Sequence, residues 1–243
     1  MFNKSFLIFF IVMFVASAAF VQADDPKNSI TIDFGPTIVG GIFAGIKVET
    51  DINEDSIETH GFGIGIQYER RIIEHLSLVG RFSILNIGMG MTFREDGLSA
   101  SAGTDFTSFS FQAHARFYPF VEGLFFDGAI GYAMLITSVS GKAIFVENGE
   151  RSVEKISFSA TRGYFKYGGL IGYHFNFGRS GGFVFEPAVG WYSSIGFGET
   201  FGKRMHKKLD NIDIDEFDEN FEVMESIIFI GGPRVVIAFG YSF

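Results

Sequence analysis

Along most of this chain the side chains change character at every second residue, and that alternation constrains its fold more than any other feature. In "FTSFSFQAHARFY", Phe106 to Tyr118, the residues Thr107, Phe109, Phe111, Ala113, Ala115 and Phe117 fall on one face. Ser108, Ser110, Gln112, His114 and Arg116 fall on the other. A period of two is that of a β-strand, with one apolar and one polar face. "HGFGIGIQYER", "GYFKYGGLIGYHFNFG" and "FVFEPAVGWYS" repeat it, and so does the C-terminal "RVVIAFGYSF". The spacing predicts eight strands, at about 30–47, 60–72, 77–93, 105–118, 123–139, 157–177, 183–200 and 225–243. In "RFSILNIGMGMTF" the apolar phase passes from even positions (Phe82, Ile84) to odd ones (Ile87, Met89, Met91), which predicts a bulge near Leu85–Asn86.

Composition agrees with strands. Of 243 residues 32 are phenylalanine and 31 glycine, a mixture that suits an all-β protein with interleaved aromatics and glycines. Past the leader, no stretch supplies the run of about 18 apolar residues that a membrane helix needs. The absence of cysteine excludes disulfides and thiolate metal sites. A net charge of −9 argues against nucleic acid as a partner, because a phosphate backbone calls for a basic surface.

The N-terminus reads separately. "MFNKSFLIFFIVMFVASAAFVQA" has one lysine, an apolar run, and Val21 and Ala23 at the −3 and −1 positions of a signal-peptidase site. The expected organisation is a signal peptide over 1–23 and one barrel domain over 24–243.

Connections alternate in length. "IEHL", "PFVE" and "RSGG" are short, whereas "VETDINEDSIET", "REDGLSASAGT", "SGKAIFVENGERSVEKI" and "FGKRMHKKLDNIDIDEFDENFEVM" are long and charged. Short turns at one end and long loops at the other fit an antiparallel, up-and-down, eight-stranded transmembrane β-barrel. A soluble barrel would have to enclose about twenty-five large apolar side chains, for which eight strands leave no room. In a closed barrel the last strand pairs with the first, so the apolar alternation can run to the final residue.

Val235, Ile237, Phe239, Tyr241 and Phe243 carry a resemblance to the C-terminal signal of bacterial outer-membrane proteins, which ends in phenylalanine. "ARFYPFVEGLFFDGAIGYA" and "GGLIGYHFNFGRSGGFVFEPAVGW" look like hairpins of the small OmpA-, OmpX- and opacity-type barrels. The resemblance implies residence in the outer membrane, contact with its lipid, and recognition by the barrel-assembly machinery. The family's functions are too varied to carry over.

With the apolar face assigned to lipid, the inward set includes Asp33, Glu69, Arg81, His114, Arg116, Asp127, His174, Glu186 and Arg234. Charges in so narrow a bore must pair, since an isolated ion loses several kcal/mol of hydration. An ion-paired plug is the first reading and a gated pore the second. Outer-membrane enzymes of this size need a histidine with a serine nucleophile near the loops. His60 and His206 lie near the long loops, and His60 has no evident partner in sequence. In the fourth loop, Asp210, Asp213, Asp215, Asp218 and Glu222 lack the EF-hand spacing and read as a solvated stretch beside the basic "KRMHKK". The expectation is a monomeric, non-enzymatic barrel with no catalytic residues, metal or cofactor. Its role is structural or surface-directed, with extracellular ligands met through the loops. The alternative is a small solute channel of the OmpW type.

Overall fold

The computed structural model describes residues 28–44, 47–49, 56–95, 98–120, 123–147, 150–178, 181–201, 203–204 and 232–243. The expected signal peptide, residues 50–55 of the first loop, and the start of the last predicted strand lie outside them. So does the acidic run of the fourth loop.

The strands are β1 (Asn28–Asp33), β2 (Lys47–Glu49), β3 (Ser56–Ile73), β4 (Leu76–Glu95), β5 (Leu98–Phe117) and β6 (Leu124–Glu147). They continue with β7 (Glu150–Tyr173), β8 (Phe175–Asn176), β9 (Gly182–Phe197) and β10 (Gly232–Ser242). One helix, α1 (Gly35–Ala44), follows β1. Neighbours pair antiparallel in the order β1-β10-β9-β7-β6-β5-β4-β3, and β1 also pairs with β3. The sheet therefore closes into a ring of eight, with β2 and β8 as short additions. β1 is the closing strand: Ser29 to Asp33 face Ser242 to Ala238 on one side, and Asn28 to Asp33 face Arg70 to Gly65 on the other.

Alternation places most of the large apolar residues outside. Phe62, Ile66, Ile130, Tyr167, Phe183, Val189, Trp191, Tyr241 and Phe243 are all exposed. Their neighbours Gln67, Glu69, Lys166, Glu186 and Ser242 are buried in the bore. A soluble protein reverses this polarity.

Three expectations need correction. The first predicted strand, 30–47, is a strand only to Asp33 and then becomes α1. "GPTIVGGIFA" has no period-two alternation, and Pro36 lies in the first helical turn, where its missing N–H is not needed. The bulge expected near Leu85–Asn86 is absent: β4 pairs with β5 without a register shift from Leu76 to Glu95. Leu85 and Ile87 are buried at 4% exposure each because the bore itself turns apolar at that height. The phase change in the sequence marks a change of lumen, not of register. Finally, the third and fifth connections are not long loops. Their residues extend β4–β5 and β6–β7 as paired strands up to residues 95 and 98, and 147 and 150. Above the apolar belt both faces of a strand meet polar surroundings, so hydrophobic alternation fades while backbone pairing continues.

Two buried clusters fill the bore. Near the turn end Tyr118, Phe125, Ala129, Leu170, Ala188, Tyr192, Val236 and Ala238 pack together. Nearer the loop end Leu85, Ile87, Phe106, Leu135, Tyr164 and Phe201 pack together, with Val39 of α1 against them. Helix α1 lies along the inner face of β3, where Gly61 and Gly63 leave space for the backbone of Gly40 and for Pro36.

Candidate functional site: the barrel interior

Arg116 is the hub of the polar half of the bore. Strand β5 points it inward, and β6 places Asp127 directly opposite. Its Nη1 donates to Glu69 Oε2 at 2.6 Å and to Glu186 Oε1 at 2.7 Å, and its Nε donates to Asp127 Oδ2 at 3.3 Å. Glu69 stands on β3 and Glu186 on β9, neither of which borders β5, so one guanidinium spans the bore. Its carbon lies 3.9 Å from the centroid of the Phe125 ring.

The remaining carboxylate oxygens are also occupied. Tyr118 Oη donates to Glu69 Oε1 at 2.7 Å, and Gln67 Nε2 donates to Glu186 Oε2. His114 Nδ1 meets Asp127 Oδ1 at 2.7 Å, and His174 Nδ1 meets Glu186 Oε1 at 2.5 Å. Three carboxylates thus share one arginine; His114 faces Asp127, and His174 faces Glu186 with Glu69 Oε2 at 4.0 Å. With Arg116 at 2% and Glu186 at 0% exposure, the centre of the group is out of contact with bulk water, and His174 at its edge is half-buried. Such a cluster is stable only when nearly every lone pair and proton is matched.

Ligand atoms of Glu69, His174 and Glu186 lie within 4.8 Å of one another, a set that could serve a cation. Arg116 bonds to both of these carboxylates, so its guanidinium stands where that cation would sit.

A second ion pair lies higher. Arg81 Nη2 donates to Asp33 Oδ2, while Asp33 Oδ1 accepts from the Gly35 N–H at 2.8 Å. Asp33 thereby ties the start of α1 to the wall at β4. Arg234, the ninth inward residue, is half-buried and lies close enough to Arg81 and Tyr192 to interact electrostatically with both. The structure brings Glu69, His114, Arg116, Asp127, His174 and Glu186 into one cluster and holds Arg81 with Asp33 apart from it.

Gln67, Tyr118, Lys166 and Tyr192 escaped the sequence reading as site residues. Parity places Gln67 and Lys166 inward with the others, so their signal was available. Tyr118 shares the inward parity of His114 and Arg116, but as an aromatic residue it does not read as one of the polar groups of the bore.

At the loop end, His60 Nε2 lies 3.1 Å from Asp105 Oδ1 on the outer surface. Register places His60, Gly88, Asp105, Ser138 and Ser159 in one row across five strands. Nucleophile activation needs the imidazole between hydroxyl and carboxylate. Here the carboxylate stands between the histidine and the serines, and Ser138 Oγ donates instead to Ser159 Oγ at 3.1 Å.

A closed ring of eight antiparallel strands, apolar outside and ion-paired within, defines a small transmembrane β-barrel of the bacterial outer-membrane type. Among solved structures the chain is similar to the crystal structure of Ail, the attachment invasion locus protein of Yersinia pestis. The identity is 18% and the TM-score 0.40, over 90% of this chain and 99% of that one. It is also similar to the backbone structure of the Yersinia pestis outer membrane protein Ail in a phospholipid bilayer nanodisc. There the identity is 16% and the TM-score 0.36, over 90% of this chain and 100% of that one. No family model and no curated protein matches the chain.

Proposed function

We propose that the protein is a monomeric, non-enzymatic outer-membrane barrel with an occluded bore, whose working surface is the set of hairpins at the loop end. The observation that carries this reading is that the interior is filled at two heights. The Arg116 cluster crosses the bore near the turn end. Above it, α1 packs Val39 against Leu85, Ile87, Phe106 and Leu135. A solute crossing the barrel would have to break an ion-pair cluster and then displace a helix.

What remains available to other molecules is outside. Exposed aromatics meet outer-membrane lipid, and the terminal Val235, Ile237, Phe239, Tyr241 and Phe243 serve the barrel-assembly machinery as a signal. Beyond the apolar belt, the extended strands carry a shallow concavity of about 480 Å³ lined by Glu58, Thr92, Ser101, Lys142, Lys155 and Ser157. A surface that sets both charges beside the apolar Met91 and Ile156, held on paired strands, suits an extracellular ligand better than a loose loop does. The row order at His60 and Asp105 weighs against nucleophilic catalysis at the outer surface.

Conductance of the folded protein in a planar bilayer tests the reading. Silence, alongside gel evidence of a folded barrel, is the expected result. Steady, reproducible openings would overturn the occluded bore and favour a small solute channel.

A further inference from the structure

Between the Arg116 cluster and the apolar plug the bore holds basic side chains with donors that no described residue satisfies. Lys166 points inward from β7 at 1% exposure, and its ammonium has no hydrogen-bond partner. The nitrogen lies 5.3 Å from the centroid of the Tyr192 ring, whose own hydroxyl is also unpartnered and whose side chain is 1% exposed. The charged groups that act electrostatically on Lys166 are Arg234 and Arg81, both cations. Arg81 spends one Nη on Asp33 and leaves its Nε unpartnered.

Of these three basic side chains, Arg81 alone forms an ion pair among the described residues, with Asp33. Every other inward carboxylate among the described residues, namely Glu69, Asp127 and Glu186, is engaged by Arg116. The polar side chains nearest in register, Ser194 opposite Lys166 on β9 and Gln112 opposite Gly131 on β5, make no hydrogen bond to its ammonium. Gly131, opposite Lys166 on β6, and Gly168, two residues along β7, have no side chain that could cap the ammonium. A buried ammonium without a partner is strongly disfavoured, and the influence of neighbouring cations disfavours its charge further. One negative ion would answer both costs, accepting from Lys166 Nζ, Arg81 Nε and Tyr192 Oη.

We propose that the barrel interior contains an anion site formed by Lys166, Arg81, Arg234 and Tyr192, and that it takes a small monovalent inorganic anion of the halide class. Size sets the class: a bore only wide enough for side chains to fill does not admit a large organic anion. The site stands independently of the surface role proposed for the hairpins. It adds the missing negative charge to the middle of the plug.

Bromide is the probe. Crystals of the protein grown with bromide in place of chloride should show an anomalous peak at hydrogen-bonding distance from Lys166 Nζ. In detergent, the temperature at which the folded gel band converts to the unfolded one should rise with chloride and saturate, at ionic strength held constant with gluconate. Lys166→Met, of similar length and without charge, should abolish that chloride dependence. The proposal is overturned by a wild-type crystal with no bromide at Lys166 or with bromide elsewhere in the bore only. It is equally overturned if chloride and gluconate give the same unfolding temperature, or if Lys166→Met keeps the full dependence. The bromide map uses the unaltered protein, so it decides the matter even where the variant fails to fold.

Discussion

Arg116 concentrates more of the interior's electrostatics than any other side chain. Its replacement by alanine leaves Glu69, Asp127 and Glu186 facing one another in a site closed to bulk water. Arg116→Ala should cost about 3–5 kcal/mol of unfolding free energy, the range for breaking a buried ion pair from one side. Urea unfolding in lipid vesicles would read it as a lower midpoint with an unchanged slope. Tyr118→Phe removes only the hydroxyl that donates to Glu69, and should cost about 1–3 kcal/mol in the same assay. A Tyr118→Phe loss as large as that of Arg116→Ala would show that the tyrosine, not the arginine, is the hub. Parity alone sufficed to point Glu69, His114, Arg116, Asp127, His174 and Glu186 inward, since a strand fixes the face of each residue. Which of them touch was not legible. The contacts of Arg116 with Glu69 and Glu186 cross the bore between strands that are not neighbours, and those distances depend on the tilt and stagger of the closed sheet.

Helix α1 is the element that alternation could not reveal. The rest of the first predicted strand looked continuous in hydrophobicity, yet Gly35–Pro36 ends the strand and an unalternating apolar run turns into the bore. A helix inside a barrel needs a flat inner wall, and β3 supplies one with glycines at alternate, inward positions. Any side chain at Gly61 would run into the backbone of Gly40. Gly61→Val should therefore dislodge α1 while leaving the ring of strands intact. Limited proteolysis would register new cleavage within 35–44 in protein that still migrates as a folded barrel. Protection equal to that of the parent would mean that the helix is held elsewhere. The same inner glycines alternate with Phe62, Ile64 and Ile66, so the sequence displayed them plainly. A helix partner, however, is not something a strand pattern can announce. The apolar inner positions Leu85 and Ile87 misled for the same reason: strand periodicity tells two faces apart, but does not say which face is lipid and which is plug.

Closure is a property of the whole molecule, and it rests on the chain's last residues. Phe243 N–H donates to the Asn28 carbonyl at 2.8 Å, and the Asn28 N–H donates to the Phe243 carbonyl at 3.1 Å. Phe243 itself is outward and exposed. Phe243→Ser keeps both backbone bonds and loses only the ring, so export should continue while membrane assembly falls. Equal amounts of heat-modifiable, membrane-inserted protein for variant and parent would refute a role for the ring. The fold class was legible because lipid outside and polar groups inside impose one alternation on every strand. The height of the hairpins was not, because that rule lapses where both faces leave the membrane.

The ring is also uneven in a way that bears on how it comes apart. β1 meets β10 through five residue pairs and β3 through six, whereas β6 and β7 share 24. Above Asp33 no strand among the described residues bridges β3 and β10. The start of α1 covers the gap, with the Phe34 N–H donating to the Ile237 carbonyl and Thr37 Oγ1 to that of Gly63. The barrel is thus a hoop with one short stave, fastened at its foot and wedged at its head. In hydrogen–deuterium exchange, the amides of Ile30, Ile32 and Phe239 should trade their protons well before those at the centre of β6 and β7. The first step in dismantling the molecule would then be the release of its N-terminal strand rather than the parting of any hairpin.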